Sequence, residues 1–579
     1  MRPEAPMPMV NAEIAADLNK LADLLDIEGA NPFRVRAYRR AARVVQGLPR
    51  AVTDMLAAGE NLDALPGIGP DLAAKIATLA RGGELPQLTK LERALPPGIA
   101  ALLAVPGLGP KRVHALHTAL GIDSPETLAA AARAGTVRTV PGFGPGLEKT
   151  ILRGLAEGAL QQPRVRLDLA EQVATPLLAW LRGAPGIGQA ALAGSLRRRR
   201  ETVGDLDIVA EAAVAGPIMD RFVAYADVAR VIERGPTRAT VRLRGGLQVD
   251  LRVVPEASFG AALCYFTGSR AHSIALRRRA LARGLKLNEY GLFSGRRGIA
   301  GRTEAELYGA LGLACIPPEL REGEGEIEAA ETGRLPRLVA LSDLRGDLHV
   351  HTDTSDGGAR LATMAAAAQA LGHAYIAVTD HSRSLGMARG LDPDRLARQI
   401  AAIATLNTTL RDFTVLAGIE VDILEDGRLD LPDDILSRLD LVIAAIRSHF
   451  ELPPERQTER ILRAMDNRFV TILAHPTGRM IGRRPAYALD MERVMRAARE
   501  RNCCLEVNAQ PERLDLDDAH CRLAKEIGVK LAISTDAHST AELGLLQYGI
   551  DQARRGWITA ADVVNTRPLP ALRATLRRG

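Results

Sequence analysis

Long apolar runs are absent from this sequence, and cysteines and aromatic residues are scarce. No stretch approaches the roughly 20 apolar residues that span a bilayer, and the first residues lack the apolar centre of a secretory signal, so we expect a cytoplasmic protein without membrane contact. The five cysteines form no CxxC pair, which argues against a disulfide scaffold or a zinc ribbon. With aromatics at 3%, a surface that stacks nucleic-acid bases would be sparse, and phosphate contacts would have to dominate.

What remains is the composition of an ordinary globular protein with a basic first part. The 579 residues, 47% hydrophobic and 25% charged, suit three to four domains at about 150 residues each. Residues 1–336 carry 43 Lys and Arg against 36 Asp and Glu, whereas the rest carry 32 against 33. The basic excess of the first part favours a polyanionic partner.

A short glycine motif occurs three times in the first part. Residues 66–70, 106–110 and 141–145 each read Pro-Gly-apolar-Gly-Pro between helical segments, after an amphipathic helix predicted over 11–28. Such turns resemble helix-hairpin-helix motifs and expose backbone N–H groups that bind phosphate without reading sequence; purely structural hairpins are the alternative. A fourth match, at 185–188, precedes a predicted strand and is set aside. The predicted DNA-binding glycines are Gly67, Gly69, Gly107, Gly109, Gly142 and Gly144.

Two aspartates at i and i+2 point to phosphoryl transfer. Asp205 and Asp207 would lie on one face of a strand, where paired carboxylates can hold two divalent metals about 4 Å apart. A hairpin predicted around Gly245-Gly246 carries Asp250 as a third carboxylate. Upstream, Gly194-Ser195 and the arginines that follow can hold a triphosphate. A solvated edge strand is the alternative for an isolated DxD, and the surrounding residues argue against it.

Beyond residue 336, β-type runs alternate with helical segments in roughly seven repeats, which predicts a β/α barrel or parallel sheet. Histidines and carboxylates lie on these runs or follow them, and in β/α barrels reactive residues gather at the strand C-terminal ends. Imidazole with carboxylate suits Zn, Mn or Fe, and clustered metals hydrolyse phosphoesters by making hydroxide and clamping the oxyanion. The nine predicted ligands, enough for up to three ions, are His349, His351, Asp356, His381, Glu420, His449, His475, Asp536 and His538. The other five histidines lack such a context and are interpreted as structural.

The run GSLRRRRETVGDLDIV is similar to the nucleotidyltransferase signature of the family X DNA polymerases, the polymerase beta family. Residues 265–269 (YFTGS) resemble that family's sugar-binding turn, and RRRALARGLKLNEYGLF resembles its thumb. The resemblance implies that Asp205, Asp207 and Asp250 bind two catalytic Mg²⁺ ions, with Asp250 nearest the primer 3′-hydroxyl. It also implies a nucleotide-binding set: Gly194, Ser195, Arg198, Gly204, Tyr265, Phe266, Gly268, Ser273 and Arg277.

Three positions depart from the family pattern. Ser273 stands where the family usually has an Asn that touches the base, and Gln248 replaces an Arg two residues before Asp250. These changes put base checking and the orientation of Asp250 in question. Lys75 matches the family's Schiff-base lysine, but Asp71 stands where a basic residue is expected. Lys75 is therefore a candidate lyase nucleophile, with a phosphate contact or a solvated helix lysine as the alternative.

The C-terminal motifs DLHVHTDTSDG, TDHS, GIEVDI, SHF, AHPTGR and STDAHS resemble the polymerase and histidinol phosphatase (PHP) domain. All nine ligand positions look filled, which predicts a functional site rather than a degenerate one. Bacterial family X polymerases commonly carry this domain. There it implies Mn²⁺-dependent 3′→5′ exonuclease activity, sometimes with 3′-phosphatase or abasic endonuclease activity.

The resemblances together predict a multidomain α+β and α/β protein. It would fill short gaps during base excision repair with Mg²⁺ in the palm and Mn²⁺ or Zn²⁺ in the PHP domain. Its partners would be gapped or primer-template DNA and deoxynucleoside triphosphates, and we expect a nucleoid-associated monomer. The rivals are a PHP domain that is only a scaffold, a small-molecule phosphatase tethered to DNA, and a non-enzymatic DNA end-binding protein. The predicted domains are an N-terminal lyase-like helix-hairpin-helix domain (1–85), fingers (86–160), palm (161–260), thumb (261–316), a linker (317–336) and a distorted (β/α)7 PHP barrel (337–579).

Overall fold

The structure is a computed structural model that describes residues 11–46, 48, 52–81, 83, 85–94, 99–105, 107–158, 164–384 and 388–576. Pro106 of the second glycine motif lies outside them. Contacts divide the chain into two compact units. One holds residues 1–165, 169–184 and 216–250, and the other holds 166–168, 185–215 and 251–579. No described helix is both long and apolar enough to cross a bilayer.

The first part of the chain is helical, as predicted from its apolar spacing. The helices share one apolar core, in which Ile14, Leu18 and Leu21 of the first helix are fully buried. The predicted helix over 11–28 is confirmed with its end one residue earlier. The helices are α1 (Asn11–Ile27), α2 (Pro32–Gln46), α3 (Val52–Ala57), α4 (Pro70–Ala80), α5 (Pro86–Ala94), α6 (Pro110–Leu120), α7 (Pro125–Arg133) and α8 (Pro145–Gly158).

Residues 165–254 change to mixed structure. The strands Ile187–Leu192 and Asp205–Ala212 pair antiparallel, and so do Val228–Arg234 and Arg238–Leu243. Leu243 N–H donates to the Leu247 carbonyl at 2.9 Å, which closes the predicted hairpin of β6 and β7. The fourth glycine match, at 185–188, runs into the strand Ile187–Leu192, so a strand follows it as expected. The elements are β1 (Val165–Arg166), α9 (Leu167–Arg182), β2 (Ile187–Leu192), α10 (Gly194–Arg197), β3 (Thr202–Val203), β4 (Asp205–Ala212), α11 (Gly216–Val223), β5 (Val228–Arg234), β6 (Arg238–Leu243) and β7 (Gln248–Val254).

The next segment joins helices to a small antiparallel sheet of three short strands, with the middle strand in sequence also at the centre of the sheet. Its core contains Leu276, Leu292 and Tyr308, all nearly inaccessible to solvent. The elements are α12 (Phe259–Thr267), α13 (Arg270–Ala282), β8 (Lys286–Asn288), β9 (Gly291–Ser294), β10 (Arg297–Ala300), α14 (Glu304–Ala310) and α15 (Glu326–Glu331).

Residues 317–336, predicted as a linker, are folded in the structure. Arg321 and Glu326 are fully buried. Glu326 accepts a hydrogen bond from Nδ1 of His272 at 2.7 Å, and Arg321 pairs with Glu304 at 2.6 Å. Ile327 and Ala330 also pack into the core of the preceding segment. These long-range contacts hold the segment, although its glutamate-rich sequence has no apolar period and suggested a connection between domains.

A seven-stranded parallel sheet forms the last part of the chain in the order β11 to β17. A parallel bridge between Val350 and Ala537 brings the first strand to the last, so the sheet is a nearly closed barrel. The elements are β11 (Gly346–Val350), α16 (Leu361–Ala370), β12 (Tyr375–Val378), α17 (Pro393–Asn407), β13 (Thr414–Asp422), α18 (Asp433–Leu436), β14 (Leu441–Ala445), α19 (Pro454–Asp466), β15 (Val470–Leu473), α20 (Met491–Glu500), β16 (Cys504–Asn508), α21 (Asp518–Ile527), β17 (Leu531–Ser534), α22 (Leu546–Arg555) and α23 (Leu569–Leu576).

Candidate metal centres and nucleotide-binding turn

The two aspartates of the DxD motif share one face of β4. Asp205 and Asp207 are half-buried while Leu206 between them is fully buried, as strand alternation requires. Gly194 lies directly against Asp207, because a Cβ built on this glycine would come within 2.1 Å of Asp207 Oδ2. Gly194 also has φ +61°, a conformation that favours glycine. The glycine therefore allows the start of α10 to approach the carboxylate closely.

Ser195 follows in the same turn, and its buried hydroxyl has no hydrogen-bond partner. A buried hydroxyl without a partner is costly in a folded protein, so this group is available to an incoming polar ligand. The turn carries the chemistry that a triphosphate would need, and a serine hydroxyl can donate to a phosphate oxygen.

The arginines after Ser195 make ion pairs within the protein. Arg197 pairs with Glu304 at 2.6 Å, and Arg199 pairs with Asp551 of the barrel helix α22 at 2.5 Å. Arg198, predicted to contact the nucleotide, donates to Glu322 at 3.0 Å and to the carbonyl of Thr267 at 2.5 Å. The sequence suggested that the arginines after Ser195 bind a triphosphate. In the structure their side chains instead contact carboxylates and a carbonyl.

Asp250 lies on β7 within a set of hydrogen-bond donors. Its Oδ1 accepts from the Thr240 hydroxyl at 2.5 Å, and its Oδ2 accepts from Gln248 Nε2 at 2.9 Å. Arg238 lies 3.5 Å from Oδ1. Gln248, which departs from the family pattern, therefore still orients Asp250.

The predicted sugar-binding turn lies at the end of α12. Tyr265 and Phe266 pack edge to face, with ring centroids 5.2 Å apart, and Gly268 ends the helix with φ +68°. Tyr265, Ser273 and Arg277 line one small pocket, and Arg277 Nε donates to the Ser273 carbonyl at 3.3 Å. Three residues of the predicted nucleotide-binding set are thus neighbours.

Eight of the nine predicted PHP ligands meet at the carboxyl ends of the barrel strands. In parallel strands these ends lie at one rim, where the side chains of neighbouring strands converge. Among the residues that the structure describes, two groups have ligand atoms close enough to hold a metal ion, within 4.8 Å of one another, and both include His351. The groups are His351, Asp356, His381 and His538, and His349, His351 and Asp536.

Glu420 of β13 connects further histidines to these groups. Its Oε1 lies 3.0 Å from His475 Nε2, and its Oε2 lies 2.8 Å from His381 Nδ1 and 3.4 Å from His349 Nε2. Glu420 and His349 are fully buried. Buried carboxylates and imidazoles at such distances form the donor set that Mn²⁺, Fe²⁺ and Zn²⁺ prefer.

Electrostatics of the cluster follow from this mixture. Burial opposes the charge of His349, but Glu506, Asp536 and Glu420 outweigh it and raise its pKa well above the usual value. Burial and the neighbouring imidazoles of His538 and His381 hold the pKa of His351 well below it. The carboxylates around His349 thus favour its protonated form, whereas the imidazoles around His351 favour its neutral form.

The buried nitrogens of the cluster fit a metal centre. Among the described cluster residues, four buried imidazole nitrogens make no hydrogen bond of good geometry, although two of them lie close to Glu420 Oε2. An imidazole nitrogen left without a partner in a buried site is available to coordinate an ion. These atoms are His349 Nε2, His351 Nδ1, His381 Nδ1 and His475 Nδ1.

Second carboxylates orient the ligands, and sequence reasoning missed them. Glu506 accepts from His349 Nδ1 at 2.7 Å and from the backbone N–H of His475 at 2.7 Å. Such partners fix which imidazole nitrogen faces the metal. Glu506 stands inside the apolar strand run CCLEVNA, and a carboxylate in a fully buried strand was the signal that could have identified it.

His449 is the predicted ligand that the structure does not bring to the cluster. Its side chain is 44% exposed, and the carboxylates nearest to it are Glu425 at 4.0 Å and Glu451 at 3.9 Å. Arg447, two residues earlier, lies in the cluster instead and forms an ion pair with Glu420. The SHF motif contains the expected residue type, but strand β14 directs a different side chain inward.

The three glycine motifs have the same local geometry. Gly67, Gly107 and Gly142 have φ between +79° and +87°. The apolar residue after each of them is buried, and the second glycine of each motif precedes a helix that begins with proline. The repeat thus places exposed glycine backbone at three helix N-termini. Binding of DNA by these glycines stays a prediction.

Lys75 lies on α4 beside Asp71 and Tyr38. Its Nζ is 2.5 Å from Asp71 Oδ2 and donates to the Tyr38 hydroxyl at 2.8 Å. Burial would lower the pKa of Lys75, but the bonds to Asp71 and Tyr38 outweigh it and raise the pKa. A Schiff-base lysine needs the opposite shift, because only the neutral amine attacks an aldehyde.

We therefore expect no lyase activity from Lys75 near neutral pH. Borohydride trapping on DNA with a 5′-deoxyribose-phosphate end should yield no adduct above that of the Lys75→Ala variant. Lys111→Ala, on the exposed start of α6, controls for altered DNA binding. An adduct that the wild type forms and Lys75→Ala loses would contradict this expectation.

The comparisons with known proteins agree with the order of these parts along the chain. Family models match the helix-hairpin-helix domain over 9–85, a tandem helix-hairpin-helix over 99–157, the DNA polymerase beta thumb over 262–322 and the PHP domain over 347–509. The fold and the site thus define a polymerase beta-type chain that carries a PHP domain.

The DNA polymerase/3′-5′ exonuclease PolX of Bacillus subtilis (strain 168) is 37% identical over 574 residues, covering 98% of this chain and 100% of the relative. The chain belongs to the PolX family. A probable phosphatase of Thermoanaerobacter sp. (strain X514) is 32% identical over 232 residues, 38% of this chain and 90% of the relative. A probable phosphatase of Acetivibrio thermocellus is 29% identical over 207 residues, 34% of this chain and 81% of the relative.

Proposed function

We propose that this chain is a template-directed DNA polymerase that fills short gaps and carries a metal-dependent 3′→5′ exonuclease in its PHP barrel. The observation that carries the proposal is the match to PolX over the full length of both chains. The substrates are primer-template or gapped DNA and deoxynucleoside triphosphates. We further propose a role in base excision repair, a monomeric state and a cytoplasmic location at the nucleoid.

The polymerase site is proposed on Asp205, Asp207 and Asp250. Mg²⁺ ions, when bound, neutralise the triphosphate and lower the barrier to in-line transfer. The donor set of carboxylates suits Mg²⁺. Asp250 is held by Thr240 and Gln248 and is proposed to face the primer 3′-hydroxyl.

The turn around Gly194 and the end of α12 are proposed to hold the nucleotide. Ser195 can donate its unpartnered hydroxyl to a phosphate oxygen. Arg198 must then leave Glu322 or share it, because it already donates to that carboxylate. Gly204, Tyr265, Phe266 and Gly268 are proposed to complete the sugar and phosphate contacts. Ser273 and Arg277 would lie at the base and template side.

The exonuclease site is proposed on the rim cluster of the barrel. Divalent ions, when bound, supply the activated water and Lewis acid that phosphoester hydrolysis requires, and Mn²⁺ and Zn²⁺ suit the donor set. Glu506 holds His349 in one orientation, and the two ligand groups meet at His351. The proposed domain boundaries are those predicted from the sequence, with 317–336 folded rather than extended.

A 3′-phosphatase activity is a second candidate for the same barrel. Two probable phosphatases cover this part of the chain and are themselves matched over 81% to 90% of their length. The same ligands serve both reactions, since each one hydrolyses a phosphoester at a 3′ end. A primer that ends in a 3′-phosphate distinguishes phosphate release from nucleotide release.

The test is a gel assay on a labelled primer in a one-nucleotide gap, with Mg²⁺ or Mn²⁺, and with or without nucleotides. We expect extension by one residue with nucleotides and shortening without them in Mn²⁺. Extension alone would leave the barrel as a scaffold or as a phosphatase. Neither product would refute the polymerase proposal and favour a DNA end-binding protein or a tethered phosphatase.

A further inference from the structure

The strand ends of the barrel place three different residue types at one equivalent position. The second residue after β14, β15 and β17 is Arg447, His475 and Asp536, respectively. Parallel neighbours in a barrel end at the same rim, so equal offsets project side chains toward the same space. His475 and Asp536 both lie in the metal cluster described above. Arg447 therefore occupies a ligand position on β14.

Contacts of Arg447 agree with this register. Its Nη2 forms an ion pair with Glu420 Oε2, and its Nε lies 3.6 Å from Asp422 Oδ1. Glu420 Oε2 is the oxygen that also lies 2.8 Å from His381 and 3.4 Å from His349. The guanidinium therefore sits on the carboxylate that connects the ligand groups.

A guanidinium cannot act as a metal ligand there. It has five N–H donors and no acceptor, and it stays protonated in proteins. A permanent cation on Glu420 repels a divalent ion that would share the same oxygen.

His449 does not compensate for the lost ligand. It lies four residues after the end of β14 and is 44% exposed, its ion pairs are with Glu425 and Glu451, and it belongs to neither ligand group. Among the described residues, two ligand groups remain, and they share His351.

We propose that Arg447 takes the place of one metal ion in this barrel, so that the cluster binds two divalent ions and a fixed guanidinium rather than three ions. The inference deepens the proposed nuclease function and rests on it, but its test counts ions and does not require catalysis. The guanidinium then supplies a positive charge beside Glu420 whether or not metal is present. The two divalent ions are then bound by the two ligand groups that share His351.

The test is metal content of the full-length protein after loading with excess Mn²⁺ and removal of free metal, measured by inductively coupled plasma mass spectrometry. All proteins in this test carry Asp207→Asn, so that metal ions bound at the proposed polymerase site do not add to the measured metal content. We expect about two ions per chain, and about three in Arg447→His, where an imidazole restores the ligand position. His449→Ala should keep about two, since that side chain lies outside the cluster.

Three outcomes would overturn the proposal: three ions in the protein with Arg447, no gain in Arg447→His that folds, or loss of an ion in His449→Ala. Circular dichroism checks the fold of each variant. If Arg447→His does not fold, anomalous diffraction at the manganese edge is measured on crystals of the native sequence. Two peaks with Arg447 on Glu420 would support the proposal, and three peaks with Arg447 displaced would overturn it. A protein that binds two ions but has no exonuclease activity would refute the proposed nuclease function. The inference about Arg447 would still hold.

Discussion

Replacing Asp207 with asparagine is expected to reduce primer extension by about 1,000-fold or more, since removing a metal-binding charge costs several kcal/mol of transition-state stabilisation. Asp207 shares a strand face with Asp205 and contacts Gly194 closely, so the carboxylate lies at the centre of the proposed nucleotide site. The amide keeps the shape of the side chain and removes its charge. Single-turnover extension of a one-nucleotide gap in Mg²⁺ measures the loss.

A matched control lies on the same strand. Glu211 is on β4 and contacts Gln189, so Glu211→Gln removes a charge of the same sign without touching the proposed metal site. Its extension rate should stay close to that of the wild type. Exonuclease activity should survive in both variants, because its ligands lie in the barrel. An Asp207→Asn protein that extends primers normally would remove the palm site from the proposal.

The sequence predicted the helical turns and the DxD strand because both depend on local chemistry. A glycine with φ near +80° can be inferred where Pro-Gly-apolar-Gly-Pro repeats, since the turn requires it. The carboxylates of Asp205 and Asp207 share a face because strand side chains alternate. The rhythm of apolar runs likewise predicted the barrel, since each run is one buried strand.

Register at the rim could not be read from motifs alone. The residue types in the SHF motif indicated His449, whereas the second residue beyond β14 is Arg447. Counting the offset from the apolar run would have shown the difference, since His475 and Asp536 follow their strands by two residues. Motif likeness identifies residue types, but the strand end decides which side chain points inward.

Long-range polar contacts also could not be predicted from the sequence. Glu326 contacts His272, which is 54 residues away in sequence, and Arg199 contacts Asp551, which is 352 residues away. Neither hydrophobic periodicity nor motif spacing in the sequence indicates such pairs. The buried segment 317–336 and the partners of the arginine run are therefore features that only the folded chain reveals.

Replacing His351 with alanine is expected to abolish exonuclease activity, again by about 1,000-fold or more, because the variant removes a ligand from both groups at once. His351 is fully buried, and its Nε2 lies 3.0 Å from Asp536 Oδ1. Shortening of a labelled primer in Mn²⁺ without nucleotides measures the loss, and metal content should fall with it.

His520→Asn is the matched control, because His520 lies on α21 of the same barrel and pairs with Asp517 rather than with the cluster. It should retain exonuclease activity, and both variants should still extend a primer in Mg²⁺. Full exonuclease activity in His351→Ala would assign the cluster a structural role and move the nuclease elsewhere. Loss of extension as well would instead indicate that the barrel supports the fold of the polymerase, since Arg199 of the palm turn pairs with Asp551 of the barrel at 2.5 Å.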